Sequence, residues 1–237
     1  MSAPSPGAPG TVTRPRSPAI TVLMALVAVA LDAAFLALAL GGVRALLAHH
    51  RALALLGIYV ATGVPLALLR PVRDQDVVRS NPDPWWRLLL LFLIPLAIPP
   101  LSAYGERVHA AALPPVTWLG WLGLALTMTG LVVRILAMVR LGPRFAPIPA
   151  LQRGHALETA GPYAHVRHPG YLGSWLAAFG AMLVFRNGLA MPLFVVFSWL
   201  LAVRARHEDA LLETHFGDAY RAWAARTGAF LPGIGRR

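Results

Sequence analysis

Two stretches carry residues whose types and spacing could do chemistry. The first is "GPYAHVRHPGYLG", Gly161 to Gly173. The second is "RARHEDALLETHFGDAY", which starts at Arg204. In the first, Pro169 disfavours helical geometry at His168 but suits the first position of a helix. A helix beginning at Pro169 offers unpaired N–H groups, which form a ready anion site. Arg167 adds a permanent charge beside it. Tyr163 and Tyr171 supply flat faces that can hold a cation or stack on a base. In the second stretch, Arg204 and Glu208 stand four apart and share a helix face. An exposed ion pair there would contribute only a few tenths of a kcal/mol, and the tyrosines could equally be interfacial belt residues. Taken jointly, the groups describe a pocket for a carboxylate, a cation and an aromatic ring, and S-adenosylmethionine carries all three.

The elements that must position these residues are apolar. The chain has 237 residues, 57% apolar and only 13% charged, with mean hydropathy +0.61. A soluble domain is about half apolar and a quarter charged, so the composition is that of an integral membrane protein. Cysteine is absent, which excludes disulfides, thiolate catalysis and Cys-ligated metals. His49, His50, His207 and His215 show no metal-ligand spacing, and no metal is expected. All 21 cationic residues are arginine, so the net charge of +11 is fixed. These arginines flank apolar segments, which fits anionic lipid headgroups rather than nucleic acid. An arginine-only chain rich in Ala and Gly points to a GC-rich, bacterial genome and a bacterial cytoplasmic membrane.

Residues 1–19 are rich in Pro, Ser and Gly and read as a disordered tail. The apolar run from Ile20 outlasts the core of a signal peptide and reads as a retained anchor. Six apolar segments follow, at Ile20–Leu47, Ala52–Leu69, Leu88–Ala103, Val116–Met138, Tyr171–Phe185 and Leu189–Val203. With the N-terminus in the cytoplasm, Arg44, Arg51, Arg107 and Arg186 fall outside and the other arginines inside, a strong positive-inside asymmetry. Both termini are then cytoplasmic. Asp32 and Arg134 lie within apolar segments, Asp32 as a structural polar contact and Arg134 as a snorkelling or functional charge. Beyond Val203, Leu212, Phe216, Tyr220 and Trp223 recur at helical spacing, an amphipathic helix on the cytoplasmic interface.

"HALETAGPYAHVRHPGYLG" resembles the first signature of isoprenylcysteine carboxyl methyltransferases and related phospholipid methyltransferases. The second signature of that family is matched by Arg204, Glu208, Leu212, Phe216, Gly217 and Tyr220. The resemblance covers Leu141 to Ile234. It implies an all-α, polytopic membrane fold and an S-adenosylmethionine-dependent enzyme. It also implies that His155, Ala156, Leu157, Glu158, Tyr163, His168, Pro169, Gly170, Tyr171 and Glu208 line the cofactor, while Arg204 faces the substrate. Arg204 and Glu208 are the residues on which catalysis rests. Two positions depart from the family pattern: Glu158 replaces a Val and Asp209 a second Glu. The implied substrate is apolar or amphipathic and enters from the bilayer, with a lipid-like molecule, a prenyl-cysteine, an amine or a thiol all open. Two other readings stand beside it. One is an NADPH-dependent sterol-type reductase, against which Gly170 and Ser174 argue. The other is a non-catalytic protein on the same scaffold, against which Arg204 and Glu208 argue.

The sequence thus divides into a tail (1–19), N-terminal membrane helices (20–138) and a methyltransferase core (139–237), with the C-terminal helix over a cytoplasmic-side pocket. A reporter fused after Arg237 and one placed between Tyr104 and Pro114 should report opposite sides of the membrane. Reporters on the same side would contradict the charge-based topology.

Overall fold

The computed structural model describes residues 18–68, 77–80, 83–142, 150–152 and 156–235. Residues 1–17 of the tail and His155 lie outside these residues, and the last two tail residues, Pro18 and Ala19, open the first helix. Eight α-helices account for most of the described chain: α1 (Pro18–Leu40), α2 (Val43–Ala48), α3 (His50–Leu68), α4 (Trp85–Arg107), α5 (Thr117–Leu141), α6 (Pro169–Val184), α7 (Met191–Phe216) and α8 (Asp218–Ala224). Helices α1, α4 and α5 are long and apolar enough to cross a membrane. Helices α3 and α6 are apolar but shorter. At 16 residues, α6 spans only about 24 Å, less than the roughly 30 Å hydrocarbon core.

Three features depart from the sequence expectations. First, the helical bundle carries one small addition, an antiparallel pair of strands, β1 (Val77–Ser80) and β2 (Ala150–Gln152). It ties the loop before α4 to the loop after α5. Second, the first apolar run is not one helix. Gly41 and Gly42 adopt φ of 100° and 128°, a region that glycine enters without cost, and the chain turns there from α1 into α2. Third, the sixth apolar segment and the amphipathic stretch form one helix, because nothing between Val203 and Phe216 breaks a helix. Gly217, with φ 54°, ends α7 and starts α8. Tyr220 and Trp223 of α8 do not face lipid headgroups; both are buried, packed with Ala137 and Tyr163.

The closest packing in the molecule joins α5 to α6. Small residues stand on both helices at the same spacing, Gly123, Thr127 and Gly130 facing Gly173, Ala177 and Gly180. A Cβ on Gly130 would overlap the carbonyl oxygen of Gly173, and one on Gly173 would overlap that of Gly130. At Gly180 a Cβ would come within 2.5 Å of the Gly123 carbonyl oxygen. In lipid, where the hydrophobic effect between helices is absent, such backbone-to-backbone approach supplies the van der Waals contact that drives association. Thr127 is fully buried and donates its hydroxyl to the carbonyl oxygens of Gly123 (2.9 Å) and Ala177 (3.4 Å).

Around this pair, α3 packs on α5, α1 packs on α3 and α4, and α4 packs on α7. Large apolar side chains of α1, including Leu23, Val27, Leu31 and Leu38, stay exposed, as a lipid-facing helix requires. Trp85 and Trp86 are exposed at one end of the bundle, Trp118 and Trp121 at the other.

Gly130→Val and Gly180→Val should each destabilise the protein by about 1–3 kcal/mol or more, since a well-packed interface must then open. Gly63→Ala is the contrast: an added Cβ there would meet nothing within 4 Å, and alanine favours the helix by up to about 1 kcal/mol. Thermal unfolding in detergent checks all three.

Candidate functional site: a chain of polar side chains at the mouth of a cavity

Helix α6 begins at Pro169, as the sequence expectation has it. His168 is its N-cap residue, with φ −121° and ψ 58°, outside the helical region, which Pro169 disfavours for the residue preceding it. The start of α6 therefore presents His168 and Tyr171 toward α7, which brings Arg204, Glu208 and Asp209.

These side chains form two hydrogen-bonded runs that meet at a longer contact between Glu208 and His168. Arg204 donates from Nη1 to Asp83 Oδ2 (2.9 Å) and from Nε to the Tyr171 hydroxyl (2.9 Å). The Tyr171 hydroxyl donates to Glu208 Oε2 at 2.7 Å. That same carboxylate oxygen lies 3.7 Å from His168 Nδ1. On its other nitrogen, His168 Nε2 lies 2.8 Å from Asp209 Oδ1, which also accepts the Tyr220 hydroxyl. The rings of His168 and Tyr171 stack at 5.5 Å. His168 and Asp209 are almost completely buried, while Glu208 keeps about a third of its side chain exposed. Glu208 is thus the carboxylate that a ligand can reach, and Asp209 the one that holds the scaffold.

The chain closes one end of a cavity of about 860 Å³, within the range of about 300–1,000 Å³ typical of small-molecule sites. Leu157, Glu158, Tyr163, Arg167, His168, Gly170, Tyr171, Arg204 and Glu208 all line it. Trp223 of α8 lines it too and donates its indole N–H to the Tyr163 carbonyl oxygen at 3.1 Å. The far walls come from the membrane helices, among them Ala28 and Asp32 of α1, Tyr59 of α3, Pro95 of α4 and Leu131 of α5. Of the remaining residues named from sequence, Pro169 is buried behind the lining and Ala156 is exposed away from it. His155 lies outside the described residues.

Several roles read differently from the sequence expectation. Arg167 does not present its charge to a ligand. Its guanidinium donates to the carbonyl oxygens of Ala224 (3.1 Å), Thr227 (2.7 Å) and Gly235 (2.8 Å), and Nε sits 3.6 Å from Asp209. It fastens the C-terminal segment to the start of α6. Arg134 is not directed to headgroups either; its Nη1 donates to Ser174 Oγ (2.7 Å) and the Gly170 carbonyl oxygen (3.2 Å). Glu158, the departure from the family pattern, accepts from Arg140 Nε (3.2 Å) and the Ala160 N–H (3.1 Å). Asp32 makes no hydrogen bond to any described residue and faces the cavity.

The sequence reasoning missed Asp83, buried between Arg204 and Arg87, the latter 2.6 Å away. Its one sequence signal is an acid between Pro82 and Pro84, directly before the interfacial Trp85. The purpose of Asp209 was likewise unread. Burial pushes its carboxyl up, but hydrogen bonds from His168 and Tyr220 and the charges of His168 and Arg167 outweigh that and hold it below the ordinary carboxylate value.

A family model described as the isoprenylcysteine carboxyl methyltransferase (ICMT) family matches residues 121–214. The matched region carries the ICMT family pattern. It spans α6 and most of α5 and α7, and so contains every link of the polar chain except Asp83 and Tyr220. The resemblance read from the two motifs is borne out, and with it the reading of the chain as a methyltransferase of this membrane type. The chain is 27% identical over 172 residues to a protein-S-isoprenylcysteine O-methyltransferase of Schizosaccharomyces pombe, covering 67% of this chain and 71% of that protein. It is 30% identical over 125 residues to one from Xenopus laevis, covering 52% of this chain but only 43% of the relative. Among solved structures, the eukaryotic intramembrane Ras methyltransferase ICMT matches with a TM-score of 0.51 at 19% identity, over 93% of this chain and 88% of the other. That likeness is one of fold.

Asp209 yields a pH prediction. A carboxyl held low when folded adds stability that is present above the unfolded value of about 3.9 and lost as pH falls through the folded value. Asp209→Asn lacks this contribution at every pH and leaves buried donors unmatched, at a cost of about 3–5 kcal/mol. The stability gap between the parent protein and the variant should be flat from pH 7 to about pH 5 and narrow below about pH 4. Denaturation curves at several pH values measure it.

Proposed function

We propose that the protein transfers a methyl group from S-adenosylmethionine to the carboxylate of a hydrophobic acceptor that enters from the bilayer. The observation that carries this reading is the position of the Arg204–Tyr171–Glu208–His168 chain: it stands where a polar cavity mouth meets apolar helix walls. Both kinds of ligand need that boundary. The cofactor is charged at its amino-acid end, and the acceptor is greasy except at the reacting group. The names of the relatives point to an isoprenylcysteine as acceptor, and a prenyl chain fits the walls contributed by α1, α4 and α5.

The residues fit the cofactor. Glu208 offers a partly exposed carboxylate to its cationic end, and Tyr163, Tyr171 and Trp223 offer aromatic faces within the same cavity. When bound, S-adenosylmethionine supplies a methyl group on a sulfonium; the carbon–sulfur bond breaks as the new oxygen–carbon bond forms. The protein contributes alignment, which is the main requirement of an in-line displacement. Arg204 holds the acceptor carboxylate, and Asp83 and Tyr171 fix the plane of its guanidinium. His168 keeps Glu208 oriented from one nitrogen while Asp209 anchors the other. The apolar walls exclude water that would otherwise solvate the attacking carboxylate.

In the membrane, six helical segments span or enter the bilayer, α6 and α7 as a short hairpin. Both termini are cytoplasmic, and α8 roofs the pocket on that side. Residues 139–237 form the core that holds the cofactor, residues 20–138 supply the lipid-facing walls, and 1–19 is a cytoplasmic tail. The setting is a bacterial cytoplasmic membrane.

Labelled S-adenosylmethionine should pass its methyl group to an S-isoprenylcysteine with a free carboxylate and not to the corresponding methyl ester. Labelling of the ester as well would overturn the carboxylate as the acceptor, and labelling of neither would overturn the isoprenylcysteine. Separately, Glu208→Gln should weaken binding of S-adenosylhomocysteine at least tenfold with no acceptor present. Arg204→Lys and Asp83→Asn should lower turnover and leave that affinity nearly unchanged, because lysine lacks the planar fork and the unpaired fork loses its alignment. Equal loss of cofactor affinity in Arg204→Lys and Glu208→Gln would instead make Arg204 a positioning residue acting through Tyr171.

A further inference from the structure

The opposite end of the bundle gathers charge a second time. Arg51 at the start of α3, Glu106 at the end of α4 and Arg186 in the turn between α6 and α7 converge there. Arg51 Nη2 donates to Glu106 Oε1 at 2.9 Å and Arg186 Nη2 to the same oxygen at 3.2 Å. His49 Nε2 lies 3.1 Å from Oε2. Two fixed positive charges and a histidine therefore share one carboxylate, so the cluster keeps a surplus of positive charge.

Its donors outnumber its acceptors. Arg51 Nη1 and Arg186 Nε are buried and make no hydrogen bond to any described residue, an arrangement rare for guanidinium nitrogens away from water. Both arginines line a cavity of about 430 Å³, together with His50, Thr117 and Trp121. The backbone is shaped to keep them there. Arg186 is held at φ 49°, in the left-handed region that non-glycine residues occupy only when their surroundings enforce it. Gly120 leaves room for Arg51, since a Cβ on it would overlap Arg51 Nη1. Charge counting along the sequence places only four arginines on this side, and two of them meet in this cluster.

A surplus of planar, multi-donor cations lining one cavity matches the tetrahedral oxygens of a phosphate better than a single carboxylate does. Trp121 is 54% exposed beside the cavity, at the level where an amphipathic ring sits among lipid headgroups. We propose that this pocket binds a phosphate group, presented by an anionic phospholipid headgroup or as the free ion. The site is separate from the His168 cavity and stands whether or not the methyltransferase reading does.

The test uses the full chain in an uncharged detergent. Short-chain phosphatidylglycerol and inorganic phosphate are titrated separately, with native mass spectrometry and tryptophan fluorescence as readouts. One equivalent should bind saturably, and Arg186→Gln and His50→Glu should each weaken it at least tenfold. Arg44→Gln, an exposed arginine on the same side, should leave it unchanged. Binding of the lipid alone identifies a headgroup as the source; binding of both identifies phosphate itself as sufficient. The thermal transition is recorded for each variant, and the exposed His50 position carries the test if Arg186→Gln fails to fold. Absence of saturable binding of either probe overturns the proposal. So does equal weakening by Arg44→Gln, the mark of diffuse surface attraction, or binding unchanged by His50→Glu.

Discussion

The close approach of α5 and α6 sets the rest of the structure. Glycine carbonyls of each helix occupy the space where side chains of the other would stand, so the two backbones are locked in register along the length of α6. Registry at that interface has a chemical consequence at the end that carries His168. It brings Arg134 against Gly170 and Ser174, and it fixes where the first turn of α6, with His168 and Tyr171, meets α7. Helix α6 is too short to gain much from lipid contact alone. Its position is a property of its partner.

A second constraint is electrostatic. Asp83, Arg204, Tyr171, Glu208, His168 and Asp209 form a chain in which nearly every member is largely withdrawn from water. In such surroundings a hydrogen bond gains strength and an unpaired group becomes costly. The chain tolerates little rearrangement, which suits a site whose work is alignment. Arg167 extends the same logic to the C-terminal segment. By donating to three carbonyl oxygens it pins the segment beyond α8 to the start of α6, and a charge that the motif alone would assign to a ligand holds the fold instead. At the far end of the cavity, Asp32 and Tyr59 bring polar atoms deep among the membrane helices, so the apolar wall is not uniform.

What the sequence made legible was what local chemistry dictates. Apolar runs of sufficient length marked the helices, Pro169 marked the start of α6, and spacing of four put Arg204 and Glu208 on one face. The failures came where distant contacts decide. Nothing near Arg204 in sequence announces Asp83, and nothing near Arg167 announces the carbonyls of Ala224, Thr227 and Gly235. The break at Gly41 and Gly42 was masked by a run of apolar residues on both sides, since composition alone does not register a turn. The helix-to-helix match of Gly123, Thr127 and Gly130 with Gly173, Ala177 and Gly180 was written in the sequence as two sets of small residues with one spacing. It is readable only when both helices are considered together.

The central claim is that the start of α6 forms the floor of a cofactor site, and the measurement that tests it most directly is calorimetric titration of S-adenosylhomocysteine into the purified protein and into His168→Ala. The account predicts saturable binding to the parent protein and an affinity lowered about tenfold or more in the variant, because Glu208 and the buried Asp209 lose the ring that positions them, at a cost of about 1–3 kcal/mol. Equal affinity in the two proteins, with the variant folded, would remove His168 from the site and contradict the account.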